Sequence, residues 1–190
     1  MGLKNTETSY GSVAKALHWG LALALWGMFL FGRNIAQMKP ALDNIHLYGW
    51  HKSTGILLLS LILFRLLWRF ISPPPKIITD STTPKAQIYL AHSVHFSLYL
   101  LMLLTPLLGW LASSATGFEM RFFGTFRIPP IASENPAMEE WLFTLHGISA
   151  TLLIALSVLH LLAALYRHFI KRDNTLRRMI RERQGVSKTD

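Results

Sequence analysis

Residues Trp141–Tyr166 read WLFTLHGISATLLIALSVLHLLAALY. The stretch carries no Asp, Glu, Lys or Arg. It exceeds the roughly 20 residues a helix needs to cross a bilayer. Backbone polar groups in lipid must bond within their own segment, so it reads as a helix. Two histidines lie in it, His146 and His160. Four helical turns take about 14.4 residues, so these two rings point the same way to within about 40° and stand about 21 Å apart along the axis. One imidazole lies near each membrane face. Ionisable groups inside a membrane are costly, which makes them functional candidates by default.

Working outward, three more stretches are long and apolar enough to span: Ala14–Phe31, His51–Ile71 and Ile88–Ala112. Pro106 is expected to kink the third without breaking it. The first follows a polar lead and has no small-x-small exit site, so it does not read as a cleaved signal peptide. Ser72-Pro73-Pro74-Pro75 stops the second helix sharply. The segment Ser113–Glu140 is long for a helix–helix link and reads as a working loop. The expectation is an all-α, integral membrane four-helix bundle forming one domain over residues 1–190, with a basic tail over 167–190.

Composition agrees. Of 190 residues, 51% are hydrophobic and 15% charged, well below the roughly 25% charged of soluble domains. The absence of cysteine excludes disulfides, thiolate zinc sites, iron–sulfur clusters and covalent c-type haem attachment. The net charge is +9. Twelve basic residues fall in the N-terminus, the Ser72–Gln87 loop and the tail, whereas five fall on the opposite side, namely Arg33, Lys39, Lys52, Arg121 and Arg127. By the positive-inside rule both termini are cytoplasmic. The charge is therefore a topology and lipid-headgroup signal. Nucleic-acid binding is not expected, because the short basic tail has no fold to present it.

Two inward imidazoles at two depths on one helix suit two haems stacked in a bundle, each needing a second axial ligand at its own depth. His18, one turn into the first span, is level with His160 on the cytoplasmic side. His51, opening the second, is level with His146 on the outer side. A haem plane also needs small side chains beside its ligand. Four residues after these histidines come Ala22, Gly55, Ala150 and Ala164, but Trp50, Phe96, Tyr99 and Arg172 follow His46, His92, His95 and His168. Zinc or di-iron sites need ligands clustered at one depth, often with carboxylates, and the spans hold no Asp or Glu. His92 and His95 share one face of the third helix and could hold a substrate, line a haem edge or displace His18. Arg65 and Arg69, four apart, either snorkel to the headgroups or pair with haem propionates. His46 and His168 read as interfacial. Arg121 and Arg127 could attract a small anion or be ordinary solvated charges.

These residues carry a family resemblance. ALHW around His18, HKSTGI at His51 with the following RLLWR and PPP, the HSVH pair, LHG at His146 and the His160 segment ending in KRDNTLRRM resemble the bacterial cytochrome b561 family, in order and through nearly all of the chain. The resemblance implies a small di-haem b-type cytochrome of the bacterial inner membrane. The axial iron ligands it implies are His18, His51, His146 and His160, two haem b groups held without covalent bonds. It further implies electron transfer to or from membrane quinone, in at least one member from superoxide to ubiquinone, and a partner on either side of the membrane. Two rival readings stay open at this point. One is a haem-bearing anchor subunit of a partner dehydrogenase. The other is a non-redox transporter or assembly factor whose histidines serve protons or packing.

Overall fold

The computed structural model describes residues 2–76, 78 and 84–180. The part of the basic tail from 181 onward lies outside the described residues, as does most of the stretch 77–83. The elements in chain order are α1 (Ser12–Ile35), α2 (Ile45–Ile71), α3 (Lys85–Ala115), β1 (Met120–Phe122), β2 (Phe126–Ile128), α4 (Pro136–Phe169) and α5 (Thr175–Ile180). Helices α1 to α4 are each long and apolar enough to cross a membrane, and the chain is a membrane-spanning helical bundle.

Each helix outruns the apolar stretch that predicts it. α2 begins at Ile45, so His51 lies well inside the helix and does not open it. The added segment IHLYGW is less apolar and reads as loop, but Tyr48 ties it down. The Tyr48 hydroxyl lies 3.1 Å from the carbonyls of both Ile35 and Met38. α4 likewise begins at Pro136, where the Asn135 side chain accepts a hydrogen bond from the Met138 N–H. An Asn cap followed by a first-turn proline is a favoured helix start. Pro106 sits inside α3 without ending it.

Little of the bundle is buried against protein. Leu21, Leu58 and Ile62 form a mid-bundle cluster, with Met28, Leu66 and Met102 packed on it. Ala112, Ala115 and Leu142 form a second where α3 ends and α4 begins. Small residues there, Ser113 and Ser114 included, are buried and let the helices approach closely. Leu23, Leu30, Leu67, Leu152 and Leu162 are each more than half exposed. In water that would be unfavourable; in lipid it costs nothing, because acyl chains are as apolar as Leu.

Both ends of the bundle are closed by polar clasps. At the end that gathers the termini, the Asn5 N–H donates to Ser72 Oγ (2.8 Å), and Asn5 Nδ2 donates to the Ser72 carbonyl (2.7 Å). Trp19 Nε1 donates to the Met179 carbonyl on α5 (3.1 Å), and Arg167 pairs with Asp173 at 2.6 Å while donating to the Ile78 carbonyl. This is the structural use of KRDNTLRRM. Partial burial pushes the Asp173 carboxyl up, but hydrogen bonds from the Thr175 N–H and hydroxyl and from Arg167 outweigh it and hold the group below its ordinary value.

The opposite end carries an element the all-α expectation omits, an antiparallel hairpin of β1 and β2 with Met120 opposite Ile128 and Phe122 opposite Phe126. Its turn places Phe123 at φ 46° and Gly124 at φ 76°. Ser53 of α2, fully buried, pins the hairpin. Its Oγ accepts from the Phe123 N–H (2.9 Å) and lies 2.8 Å from the Gly49 carbonyl and 3.2 Å from the Arg121 carbonyl. The expected working loop Ser113–Glu140 is thus largely ordered: α3 runs into it, α4 starts within it, and the hairpin fills the middle.

Candidate functional site

The bundle interior brings four histidines into two pairs. His18 of α1 meets His160 of α4 with ring centres 6.3 Å apart. His51 of α2 meets His146 of α4 at 6.1 Å. These are the pairings that depth alone predicts. All four side chains are half-buried, whereas His92, His95 and His46 are exposed. The site therefore separates into one pair near the clasped termini and one beneath the hairpin, named inner and outer after the topology expected from the basic residues.

The spacing tests whether the residues fit a metal between them. A metal–imidazole nitrogen bond is about 2 Å, so two imidazoles on opposite sides of one ion hold their ring centres about 6 Å apart. Both pairs meet that spacing. Among the described residues, no group of three or more His, Asp or Glu is placed to hold an ion directly, so the donor set suits axial pairs and not a tetrahedral cage. A Cβ built on Gly55, one turn after His51, would meet nothing within 4 Å. That agrees with the need for small residues beside the ligand.

Hydrogen bonds fix individual ring nitrogens. His146 Nδ1 lies 2.8 Å from the Thr105 carbonyl of α3. A carbonyl only accepts, so Nδ1 carries the proton and the lone pair of the neutral ring is at Nε2, free for a metal. His51 Nδ1 is buried without a partner. At the inner pair, Arg65 Nη2 lies 3.1 Å from His18 Nδ1. A guanidinium only donates, so here Nδ1 accepts. If His18 binds metal through Nε2, its proton sits on Nδ1 and Arg65 must turn to another acceptor.

Such an acceptor would be anionic, since Arg65 and Arg69 both flank the Tyr99 ring, their guanidinium carbons 5.6 and 5.3 Å from its centre. Two cations on one ring face a single region at the inner end. His95 joins this region, its ring centre 5.2 Å from that of His160. The His18–His160 separation of 6.3 Å lies nearer the spacing of two imidazoles across one ion. His168 stacks edge-on with Phe169, and His46 with Trp50, both outside the pairs.

Two glycines enter the site that sequence reading passed over. A Cβ on Gly32 of α1 would stand 2.9 Å from His51 Cε1, and one on Gly109 of α3 would stand 3.0 Å from His146 Cε1. Each ring of the outer pair is seated on a helix surface where even a methyl group would make the ring shift. A small residue one turn along the ligand's own helix is a local signal, whereas these glycines lie on neighbouring helices. No local spacing reveals them.

Comparison with known proteins meets this geometry. A family model described as Prokaryotic cytochrome b561 matches residues 9–182. The chain is 35% identical to "Cytochrome b561 homolog 2" of Escherichia coli (strain K12), over all of this chain and 98% of the relative. It is 29% identical to a Yersinia pestis protein named "Probable superoxide oxidase CybB", over 93% of this chain and 98% of the other. It is 26% identical to "Cytochrome b562" of Cereibacter sphaeroides, with the same coverage. A bundle of four spanning helices, paired intramembrane imidazoles and a match through nearly the whole length agree on one conclusion: the chain belongs to the prokaryotic cytochrome b561 family, membrane-embedded b-type cytochromes that bind haem and transfer electrons.

Proposed function

We propose that this protein holds two b-type haems, one between His18 and His160 and one between His51 and His146, and passes electrons between a donor and membrane quinone. The supporting observation is the pair geometry: two cross-bundle imidazole pairs at axial spacing, with the two α4 members separated by about 21 Å of helix rise. Held by these histidines, a haem would supply one-electron redox chemistry.

The chain's part is to bind, orient and insulate. α4 contributes one ligand at each depth, α1 completes the inner pair and α2 the outer. The Thr105 carbonyl fixes the tautomer of His146. Arg65 and Arg69 offer planar, always-charged forks for propionates at the inner end, a match Lys could not make bidentately. Releasing Arg65 to a carboxylate also frees His18 Nδ1 to carry its proton. His95, beside His160 and exposed, and His92, one turn before it, suit a place at the edge of the inner haem or against quinone.

The excess of basic residues in the N-terminus, the 72–87 loop and the tail supports cytoplasmic termini in the bacterial inner membrane. The hairpin and the outer pair then face the periplasm. Superoxide as donor and ubiquinone as acceptor is the specific reaction we propose; a redox partner protein is the alternative donor.

Electron paramagnetic resonance of four single variants tests the pairing. His18→Ala and His160→Ala should erase one low-spin signal, and His51→Ala and His146→Ala the other. If His18→Ala and His51→Ala erase the same signal, the pairing is wrong. Anaerobic stopped-flow mixing of the oxidised protein with superoxide or ubiquinol, and of the reduced protein with ubiquinone, tests the reaction. Failure of superoxide to reduce the protein faster than its own dismutation would remove it as donor.

A further inference from the structure

We propose that the Thr105 carbonyl and the bare backbone of Gly109 form a seat on α3 that sets the redox potential of the outer haem through His146, holding it below the value the same ligand pair would otherwise give. This rests on the assignment of His51 and His146 as the outer ligands. The Gly109 backbone stands against the flank of the His146 ring, where a Cβ would come within 3.0 Å of Cε1 and 3.1 Å of Nδ1. The hydrogen bond from that Nδ1 to Thr105, four residues earlier on the same helix, is 2.8 Å long. Carbonyl and glycine therefore lie one turn apart on one face, and the ring holds its 2.8 Å approach to the first because the second has no side chain to push it away.

The physical consequence has a definite sign. An imidazole that donates its far N–H to a carbonyl is a more basic ligand. A more basic ligand stabilises the ferric over the ferrous state, which lowers the midpoint. The partner ring lacks this arrangement: Gly32 gives His51 the same close approach, with 2.9 Å to Cε1, but His51 Nδ1 is buried with no acceptor. Thr105 and Gly109 are thus positioning residues that act through His146.

The experiment is a redox titration, with electron paramagnetic resonance, of the haem-loaded wild type, Gly109→Ala and Gly32→Ala. In Gly109→Ala the ring must yield by a few tenths of an ångström and the bond to Thr105 lengthens. The outer midpoint should shift upward and the outer low-spin signal should move, while the inner couple stays in place. Gly32→Ala crowds the outer pair without removing a hydrogen bond, so its upward shift should be smaller. An outer midpoint unchanged or lowered in Gly109→Ala, an equal shift in Gly32→Ala, or equal shifts of both haems would overturn the seat. Should Gly109→Ala fail to fold, the reduced wild type labelled with 15N-histidine decides: one ligand Nδ1–H should be shifted downfield and exchange more slowly than the other three. Four alike would overturn the proposal. A wild type carrying fewer than two haems would overturn the ligand assignment itself, a result distinct from any of these.

Discussion

Replacing Ser53 by Ala should loosen the outer hairpin without unfolding the bundle. Ser53 is fully buried, and its hydroxyl is the acceptor for the Phe123 N–H at 2.9 Å. Phe123 occupies a left-handed conformation that a bulky residue adopts only when surroundings impose it. Alanine removes the acceptor for that part-buried amide, at a cost of about 0.5–1.5 kcal/mol. The cost falls on the closed hairpin alone, so its opening equilibrium should rise by about 2- to 13-fold. Trypsin reads this directly, since Arg121 and Arg127 lie in the two strands. When reclosing outruns cleavage, the cutting rate follows the open population. Ser60→Ala is the control: its hydroxyl only back-bonds to the Ile56 carbonyl at an exposed position of the same helix. Cleavage in Ser53→Ala at the wild-type rate, or an equal increase in Ser60→Ala, would refute the clamp.

Three other expectations follow from the same contacts. The Asp173 clasp has a carboxyl held below its ordinary value, so its stabilising share is present above the unfolded pKa and is lost as pH falls through the lower folded one; Asp173→Ala should flatten that acid dependence of α5 docking, followed by hydrogen exchange of the Trp19 indole N–H that donates to the Met179 carbonyl. His95→Ala should spare both low-spin signals, because its 5.2 Å approach to His160 lies farther from the axial spacing than the 6.3 Å of His18; loss of the inner signal would make it the ligand in place of His18. A reporter active only in the periplasm, fused after Asp190, should stay silent, and a strongly active fusion would invert the topology and the naming of inner and outer sites.

The four spans and both histidine pairs were legible because each rests on a one-dimensional signal. Apolar length marks a span, and helical rise gives the depth of a residue on it. Depth matching found His18 with His160 and His51 with His146 without knowledge of helix order around the bundle. What escaped needs neighbours. IHLYGW joins α2 only because Tyr48 reaches Ile35 and Met38 across the loop. The hairpin is held by a serine nearly 70 residues away, although MRFFGTFRI, alternating about a glycine turn, offered a local cue. Gly32, Gly109 and the Thr105 carbonyl matter only through contacts between helices. Arg65 and Arg69 could be read as snorkelling or as ligand-binding; their shared hold on Tyr99 turns both toward one inner region.

Two non-covalent b haems in one chain, each between two histidines, are what we propose for this protein. A pyridine haemochrome assay on fully loaded, purified protein, with chain concentration from amino-acid analysis, measures this most directly. Two haems per chain are expected, both extracted by acid-acetone because no cysteine can tether them. A reproducible value of one haem per chain would contradict the proposal.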